Sequence, residues 1–466
     1  MYRGKRVTVM GLGLFGGGVG AARFFAERGA QVTVTDRREA GALAESLEAL
    51  RGLPIRYVLG RHDPDDFRNA QVLWVNPGVS PGNALVAVAR GTGARIENSI
   101  ELLFKLTPRN PKLGITGSNG KSTTTAFLGE MLKLHNPHTL VGGNIGRCLL
   151  CEAPRLVADA PVVLELSSFM LEWMQDSRKS PHIAIVTNLS PNHLDRHITV
   201  ENYAAAKQTI LRFQKSSDVA VLNDDDPEVR NWGRFTRARV VRFSVKQEPK
   251  GDGAFLAGEK LIVRMGDREE TVACRETLRL PGHHNLANAL AAAAAAMAYG
   301  VQSWHVMEAL GSFGGLPHRL EMVARGPQEV TYYNDSIATT PESVMCALSS
   351  FNGPVTLIAG GSDKGCPLDE LGIMIARQVR RLILMGTTGP KIQAAVLHAA
   401  QALKSGPLIV PVRDLEQAVQ VAASGALPGE AILLSPAAAS FDMFRNFEER
   451  GERFRVLARR TALRAG

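Results

Sequence analysis

The chain has 466 residues, a length that predicts two to four domains at roughly 100–200 residues each. Hydrophobic residues make up 45% and charged residues 21% of it, as in an ordinary globular protein, and the net charge of +9 favours anionic ligands such as nucleotides. Only 6% of the residues are aromatic and no block of Lys and Arg contains interleaved aromatic residues, so the composition argues against a nucleic-acid partner.

The first predicted strand, RVTVM, leads into a glycine-rich turn and a helix. Gly11, Gly13 and Gly16 form the pattern G-x-G-x-x-G, and the next predicted strand, QVTVT, ends at Asp36. This arrangement is typical of the start of a Rossmann-like domain, and by itself it suggests NAD as a ligand. The basic start and the apolar run also mimic a signal peptide, but the glycines that interrupt the run suit an apolar helix poorly.

A second block begins near residue 101, where prolines interrupt the helical pattern, and its first strand leads into the loop TGSNGKST at residues 116–123. In the strict Walker pattern a glycine stands five places before Gly120, where this chain has Ile115. Two glycines would still let the backbone wrap an anion, with Lys121 neutralising phosphate oxygens and Ser122 holding Mg²⁺. The alternative is a structural glycine turn with an exposed lysine.

Three later strands of this block, VVLEL, IAIVT and VAVLN, end in polar residues at the edge where parallel sheets bind ligands. Glu165 ends the first of them, and a carboxylate there suits a divalent cation beside nucleotide phosphates. His193 follows the second strand and is a candidate for the same cleft. An ordinary strand-end acid and a structural histidine are the alternatives. The stretch 239–280 predicts short antiparallel strands with a turn at GDG.

The alanine-rich run LANALAAAAAAMAYG predicts a core helix, since it is shorter than the ~20 residues that span a bilayer. The five cysteines are an odd, scattered set that indicates a reducing compartment. We interpret Cys148 and Cys151 as packed thiols on a helix rather than as a zinc or redox site. These features together predict a cytoplasmic protein without membrane insertion.

A third block begins near GLPHR and contains the predicted strands VTLIAGG, RLILMG and AILLSP, which again end in polar residues or glycine. Each of the three blocks alternates strands with helical patterns, and no tandem repeat of short period is present. The fold class expected from this pattern is α/β with three domains.

A series of short motifs occurs in one order along the chain: TGSNGKST, ELSSFMLE, NLSPNHLDRH, YAAAK at 203–207, GHHNLANAL at 282–290, LPHR at 316–319, NDS at 334–336 and DKG at 363–365. In these motifs the chain resembles the Mur ligases, ATP-dependent amide-forming enzymes of peptidoglycan precursor synthesis. The resemblance covers essentially the whole length. It also accounts for Ile115, because the family has its own loop, T-G-x-N-G-K-[ST]-T. ELSSF-x-LE and the closing SPAAASFDMFRNFEERG are similar to the members that add D-glutamate.

The resemblance implies a Rossmann-like UDP-sugar-binding domain at 1–100, a central P-loop-type ATP-binding domain at 101–315, and a Rossmann-like amino-acid-binding domain at 316–466. It implies that ATP phosphorylates the carboxylate of UDP-N-acetylmuramoyl-L-alanine and that the amine of D-glutamate then displaces phosphate from the acyl phosphate. Two Mg²⁺ ions would neutralise the phosphate charge. The expected partners are these small-molecule substrates, and the expected state is a monomer.

The same resemblance assigns site residues, and the glycine turn then cradles the UDP pyrophosphate rather than NAD. The expected catalytic residues are Lys121, His193 and Lys207, and the expected metal ligands are Ser122, Glu165, His193 and Lys207, with Lys207 carbamylated as in the family. The expected nucleotide contacts are Gly117, Ser118, Asn119, Gly120, Lys121, Ser122, Thr123, Asn288, Arg319 and Asp335. The expected UDP-substrate contacts are Leu14, Phe15, Asp36, Arg37, Gly78 and Asn144, and the expected glutamate contacts are Thr339, Lys364, Ser440 and Phe447.

Two positions depart from the family pattern on the substrate side. Ile337 stands where the family usually has the lysine of N-D-S-K, and Met170 stands where ELSSFQLE has glutamine. An enzyme that adds L-glutamate or another amino acid to a UDP-muramoyl substrate is therefore an alternative. A folylpolyglutamate synthase would lack the first block. An NAD-dependent oxidoreductase or a nucleotide-binding regulator would leave TGSNGKST, His193 and Lys207 unexplained.

Overall fold

The computed structural model describes residues 1–13, 17–145, 149–280, 282–351, 353–363 and 366–464. Leu14, Phe15 and Lys364, three of the predicted substrate contacts, lie outside the described residues, as does Cys148. The chain forms two compact units. The first contains Met1–Thr277 and Leu286–Gly311, and the second contains Leu278–Asn285 and Ser312–Gly466. The division into three domains at residues 100 and 315 stays a prediction.

The first sheet of unit one is parallel and has five strands. Its strands are β1 (Arg6–Met10), β2 (Gln31–Asp36), β3 (Ile55–Leu59), β4 (Val72–Val75) and β5 (Arg95–Glu97), and its helices are α1 (Gly17–Glu27), α2 (Ala44–Glu48), α3 (Pro64–Arg68), α4 (Ala84–Gly91) and α5 (Ser99–Leu106). The strand order is β3-β2-β1-β4-β5. The chain therefore leaves β1 toward one side and later returns to its other side at β4. Such a switch point opens a crevice at the carboxyl end of β1.

The second sheet of unit one has the order β14-β13-β12-β11-β10-β9-β6-β8-β7. Its strands are β6 (Lys112–Thr116), β7 (Leu140–Gly143), β8 (Val162–Glu165), β9 (Ile183–Val186), β10 (Val219–Asn223), β11 (Arg239–Ser244), β12 (Gly253–Ala257), β13 (Lys260–Met265) and β14 (Arg268–Cys274). The helices of this part of the chain are α6 (Lys121–His135), α7 (Leu149–Glu152), α8 (Ser168–Ser177), α9 (Leu194–His197), α10 (Val200–Arg212), α11 (His283–Tyr299) and α12 (Ser303–Ser312).

The antiparallel prediction for residues 239–280 is wrong for the first strand of that stretch. Strand β11 pairs parallel with β10 and with β12, and antiparallel pairing begins only between β12 and β13. Asp225 fixes the chain where β11 ends, because its carboxylate accepts hydrogen bonds from the Ser244 hydroxyl and the Val245 amide. The chain loops back through residues 245–252 before it pairs again, so GDG is not a hairpin turn.

The two sheets of unit one share one hydrophobic core cluster, which includes Phe25, Leu103, Leu164 and Leu171. The alanine-rich run forms α11, and its residues from Ala289 to Ala296 are fully buried, which confirms the core helix. Cys151 is exposed in α7, so its interpretation as a packed thiol is wrong. A four-residue helix is too short to bury every side chain. None of the helices in the described part of the chain has the length and apolar character of a membrane span.

Unit two is built on a six-stranded sheet of order β15-β16-β20-β17-β18-β19. Its strands are β15 (Glu321–Arg325), β16 (Thr331–Asn334), β17 (Val355–Ala359), β18 (Val379–Leu384), β19 (Leu408–Pro411) and β20 (Ala431–Leu434), and its helices are α13 (Pro341–Leu348), α14 (Asp369–Gln378), α15 (Gly389–Leu403), α16 (Leu415–Ser424) and α17 (Phe447–Arg464). All pairings are parallel except that of β15 with β16 at the edge. Three α/β sheets thus confirm the predicted fold class.

Candidate nucleotide, metal and substrate sites

The loop between β6 and α6 needs glycine at two positions. Gly117 has φ 149°, and a Cβ built there would lie 1.9 Å from Thr187 Oγ1. Gly120 has φ 81°, and its Cβ would lie 2.3 Å from Asn288 Oδ1. The loop is fixed from β9, because the Asn119 amide donates to Asn188 Oδ1 over 2.8 Å. The glycines therefore allow a close backbone approach that any side chain would block.

The amino terminus of α6 is arranged to receive an anion. The helix begins at Lys121, and its N-cap residue is Gly120, which has no side chain that could cap the first turn. A helix amino terminus carries partial positive charge and directs its first N–H groups outward. Lys121 Nζ donates to the carbonyl groups of Gly117 and Ser118 over 3.0 and 2.9 Å, so its ammonium group lies against the loop. Ser122 is buried in the first turn.

Glu165, at the end of β8, is 1% exposed and lacks part of its hydrogen bonding. Its Oε1 accepts a 2.9 Å bond from Asn144 Nδ2, whereas its buried Oε2 has no hydrogen-bond partner among the described residues. A buried carboxylate oxygen without a partner is costly unless a ligand satisfies it. A divalent cation fits this atom. Among the described residues no three His, Cys, Asp or Glu converge, so other groups would complete the coordination.

Lys207 on α10 is a buried amine beside the loop. It is 1% exposed, and its Nζ donates to the Gly117 carbonyl over 2.7 Å and lies 4.5 Å from the centre of the Tyr203 ring. Burial, reinforced by the charge of Lys121, holds its pKa well below the usual value, and Glu165 opposes the shift only in part. The amine is thus biased toward its neutral, nucleophilic form.

His193 precedes α9 with a left-handed backbone, φ 54°, and is exposed. Its ring centre lies 5.0 Å from that of Phe169 and 6.2 Å from that of Tyr203. The Tyr203 hydroxyl lies 3.2 Å from Ser118 Oγ in the loop. Tyr203 belongs to the YAAAK motif, but the sequence pattern does not indicate a role for it. Its burial between His193 and the loop identifies it as a support for both.

Among the described UDP-substrate candidates, Asp36 ends β2 and Gly78 follows β4 in the first sheet, whereas Asn144 follows β7 in the second. Asp36 accepts backbone hydrogen bonds, from Gly13 at Oδ2 over 3.1 Å and from Arg38 at Oδ1 over 3.0 Å. The amide of Gly78 donates to Asn76 Oδ1 over 3.2 Å. Arg37 and Asn144 are exposed.

In unit two, Asp335 is 4% exposed and accepts hydrogen bonds from the Leu320 amide over 3.1 Å and the Ser435 hydroxyl over 2.7 Å. Burial raises its pKa to about 7, against the opposing effect of its two hydrogen bonds and of Arg319. The buried Nε of Arg319 has no hydrogen-bond partner among the described residues. Both groups thus keep hydrogen-bonding capacity for a ligand.

Three of the predicted glutamate contacts lie in the described part of unit two, which also contains a buried arginine. Ser440 is buried and Thr339 and Phe447 are half-buried. The fully buried Arg450 donates to both oxygens of Ser336 and to the carbonyls of Ala438 and Ala439. Burial lowers its pKa to about 10. The sequence signal for Arg450 was the closing NFEERG, in which it was given no role.

Comparison with known proteins gives three family matches in chain order. Residues 5–97 match the Mur ligase MurD-like N-terminal domain, residues 115–296 the Mur ligase middle domain, and residues 318–438 the Mur ligase glutamate ligase domain. Among curated proteins, the chain is 45% identical to the UDP-N-acetylmuramoylalanine–D-glutamate ligase of Roseiflexus sp. (strain RS-1), over 97% of this chain and 98% of the relative. It is 43% identical to the protein of the same name from Symbiobacterium thermophilum, over 97% of each chain.

Two solved structures are similar over nearly the whole chain. UDP-N-acetylmuramate-alanine ligase MurC from Thermotoga maritima has a TM-score of 0.60 at 21% identity, covering 97% of this chain and 98% of that one. A pseudomurein peptide ligase type C from Methanothermus fervidus has a TM-score of 0.55 at 20% identity, covering 97% and 99%. At these identities the likeness shows the fold alone.

Proposed function

The chain belongs to the Mur ligase family, and from that premise we propose that it joins D-glutamate to UDP-N-acetylmuramoyl-L-alanine, with ATP converted to ADP and phosphate, in peptidoglycan synthesis. The observation that carries this proposal is the relatives of that name, which are 38–45% identical over nearly their full length. The NAD alternative loses its support, because the glycine turn lies in a Mur-type domain.

The proposed reaction moves one phosphoryl group and forms one amide bond. The substrate carboxylate attacks the γ-phosphorus of ATP, ADP leaves, and an acyl phosphate forms. The amine of glutamate then attacks the acyl carbon, loses a proton, and expels inorganic phosphate. The first step is mostly positioning and charge neutralisation, for which the α6 amino terminus and Lys121 are suited. Residues 117–123, Asn288, Arg319 and Asp335 are the proposed nucleotide contacts.

We propose Ser122, Glu165, His193 and Lys207 as ligands of magnesium, with two ions as the expected number. Magnesium bound there would supply positive charge to the phosphate oxygens. The support in this chain is Glu165 Oε2, which has no hydrogen-bond partner in the part of the chain that the structure describes, and the burial of Ser122 and Lys207 beside the loop.

We propose that Lys207 is carbamylated, and its burial beside Lys121 with a lowered pKa supports the proposal. A neutral amine attacks CO₂, a nitrogen–carbon bond forms, and one proton is lost, so a neutral amine becomes an anionic carbamate. A carbamate beside Lys121 can bind a metal ion, whereas an ammonium group at that position would be repelled by the metal ion and by Lys121. ¹³C-labelled bicarbonate should give a carbamate resonance in the wild-type protein and none in Lys207→Arg. Absence of the resonance from the wild type would contradict the modification.

The substrate sites are proposed on the family match. Asp36, Arg37, Gly78 and Asn144, with Leu14 and Phe15, would contact the UDP-sugar, and Thr339, Lys364, Ser440 and Phe447 would contact glutamate. Ile337 removes one positive charge that the family usually has beside the acid substrate. L-Glutamate addition is therefore the second candidate.

Phosphate release from ATP tests the proposal. The protein is incubated with UDP-N-acetylmuramoyl-L-alanine and Mg²⁺, and D-glutamate and L-glutamate are supplied in parallel. Release that depends on D-glutamate is the expected result and would show that Ile337 is tolerated. Release with L-glutamate alone would keep the ligase chemistry and change the stereospecificity. Release with neither amino acid would reject the proposed substrates.

A further inference from the structure

The proposed reaction gives no role to the closing glutamate of ELSSFMLE or to the arginine of NLSPNHLDRH, yet the structure joins them. Glu172 lies on α8 and Arg196 on α9, and their side chains are only 21% and 16% exposed. Arg196 donates to Glu172 Oε2 from Nε over 3.2 Å and from an η nitrogen over 2.7 Å. Glu172 Oε1 lies 3.3 Å from Nδ1 of the buried His197. The Glu172 carboxylate therefore holds α8 and α9 together.

The guanidinium group of Arg196 also reaches the loop that follows β4. It donates to the carbonyl oxygens of Gly78 and Val79 over 3.1 and 3.2 Å. The Val79 carbonyl accepts a further 3.0 Å hydrogen bond from Trp173 Nε1 on α8. A planar fork with five donors can bridge a carboxylate and two carbonyls in this way, whereas an ammonium group cannot fix three acceptors in one plane.

The segment Asn76–Val79, here called the 76–79 loop, is tied at its other end to the glycine turn. Asn76 Nδ2 donates to the Gly11 carbonyl over 3.4 Å, and its Oδ1 accepts from the Gly78 amide. A Cβ at Gly11 would lie 3.0 Å from Asn76 Cβ, so the two segments are in contact. Displacement of Gly78 would thus displace the surroundings of the glycine turn.

We propose that Arg196, held by Glu172, is a positioning residue that fixes the 76–79 loop for the UDP-substrate. The inference rests on the proposed function for the identity of the ligand. Arg196 does not touch the reacting atoms. It holds the carbonyl groups of Gly78 and Val79 beside α8 and α9, so that the loop meets the UDP-sugar already ordered and less entropy is lost on binding.

The matched control is Arg90 on α4, because it also connects the first-sheet part of the chain to α8 through an arginine side chain. Its partner is Asp176 at the exposed end of α8, and both side chains are largely in solvent, 43% and 61% exposed. An exposed pair of this kind contributes little. Arg90→Gln should therefore leave substrate binding unchanged.

Titration calorimetry and steady-state kinetics would test the proposal on wild type, Arg196→Gln, Arg196→Lys and Arg90→Gln. We expect Arg196→Gln to weaken binding of UDP-N-acetylmuramoyl-L-alanine about tenfold or more, since it removes charge-assisted hydrogen bonds. KM for that substrate should rise with little change in kcat, and the Kd for ATP should stay within about twofold. Arg196→Lys should fall between wild type and Arg196→Gln. Unchanged binding of the UDP-substrate, or equal losses for ATP and the UDP-substrate, would overturn the proposal.

Hydrogen exchange of the ligand-free proteins tests the positioning role of Arg196 independently of the proposed enzymatic function. The amides of Gly78 and Val79 should exchange faster in Arg196→Gln than in wild type or Arg90→Gln. Equal exchange rates in all three proteins would reject the positioning role whatever the substrate is. Failure of the wild type to bind the UDP-substrate would instead reject the proposed function, and the exchange rates would still decide whether Arg196 orders the loop.

Discussion

Lys112, at the start of β6, is a buried lysine whose charge costs stability. It is 2% exposed, its Nζ donates to the Thr107 carbonyl, and it lies over the Phe104 ring. Burial, followed by repulsion from Lys179, lowers its pKa to about 8. Because the folded-state pKa lies below the unfolded value, the penalty is complete below pH 8 and disappears as the pH rises toward the unfolded pKa.

We predict that Lys112→Met increases the free energy of unfolding by about 1–2 kcal/mol at pH 7, after loss of the bond to Thr107 is allowed for. The gain should shrink between pH 8 and pH 10, where the wild-type amine is already neutral. Urea unfolding at pH 7 and at pH 10 measures this gain in the free energy of unfolding. Lys250→Met, at an exposed position, is the control. A gain of equal size at both pH values would contradict the charge explanation.

Asp335 gives a second pH dependence, in ligand binding. Its pKa is raised to about 7, so the carboxylate forms only as the pH rises through that value. A carboxylate accepts a hydrogen bond from a ribose hydroxyl better than a protonated acid does. We therefore predict that affinity for ATP increases about fivefold from pH 6 to pH 8 in wild type relative to Asp335→Asn. Calorimetric titrations of both proteins at three pH values isolate this residue, because the titration of ATP itself is common to them. Parallel pH profiles would exclude Asp335 as a contact.

At the scale of elements, β6 carries the loop and is packed too tightly for a side chain at its centre. A Cβ on Gly114 would lie 2.4 Å from Pro181 Cγ and 3.0 Å from Leu166 Cδ1. Gly91 ends α4 at an exposed position with nothing within 4 Å of its Cβ. The same substitution should therefore have opposite effects at these two glycines.

We predict that Gly114→Ala lowers the free energy of unfolding by about 2 kcal/mol through overpacking. Gly91→Ala should raise it by about 0.5 kcal/mol, because alanine restricts the unfolded chain and favours the helix. Denaturant unfolding with a common m-value gives both numbers. Equal effects at the two positions would show that packing around β6 relaxes at no cost.

The chain ends in an arginine-rich segment that contributes to the unit-two core. It forms α17, where Phe454, Leu457 and Ala458 are buried in a cluster with residues of the sheet. Its charged face pairs with neighbouring elements, since Arg455 donates to Glu321 on β15. The spacing of the arginines does not predict these ion pairs, because an exposed arginine and a paired arginine cannot be distinguished in a sequence.

At the scale of the molecule, two compact units imply two folding transitions. The described candidates for the UDP-substrate all lie in unit one, namely Asp36, Arg37, Gly78 and Asn144. A ligand at 100 times its Kd stabilises the unit that binds it by about 2.7 kcal/mol. We predict that UDP-N-acetylmuramoyl-L-alanine alone shifts the calorimetric transition of unit one and leaves that of unit two in place. A single transition that moves as a whole would show that the units unfold together.

The sequence alone determined the α/β class, the strand ends that carry Glu165 and Asp36, the core helix of alanines and the glycine loop. These features depend on local rules: strand periodicity, glycine where φ is positive, and motifs whose residues adjoin in the chain. The tertiary structure alone decided what depends on distant contacts. It left Glu165 Oε2 without a hydrogen-bond partner among the described residues and buried Lys207 beside Gly117. It also paired β11 parallel with β12 and brought Arg196 onto the carbonyls of Gly78 and Val79. In the last case the hydrogen-bond partners lie 118 and 117 positions apart, and no local pattern in a single sequence records such contacts.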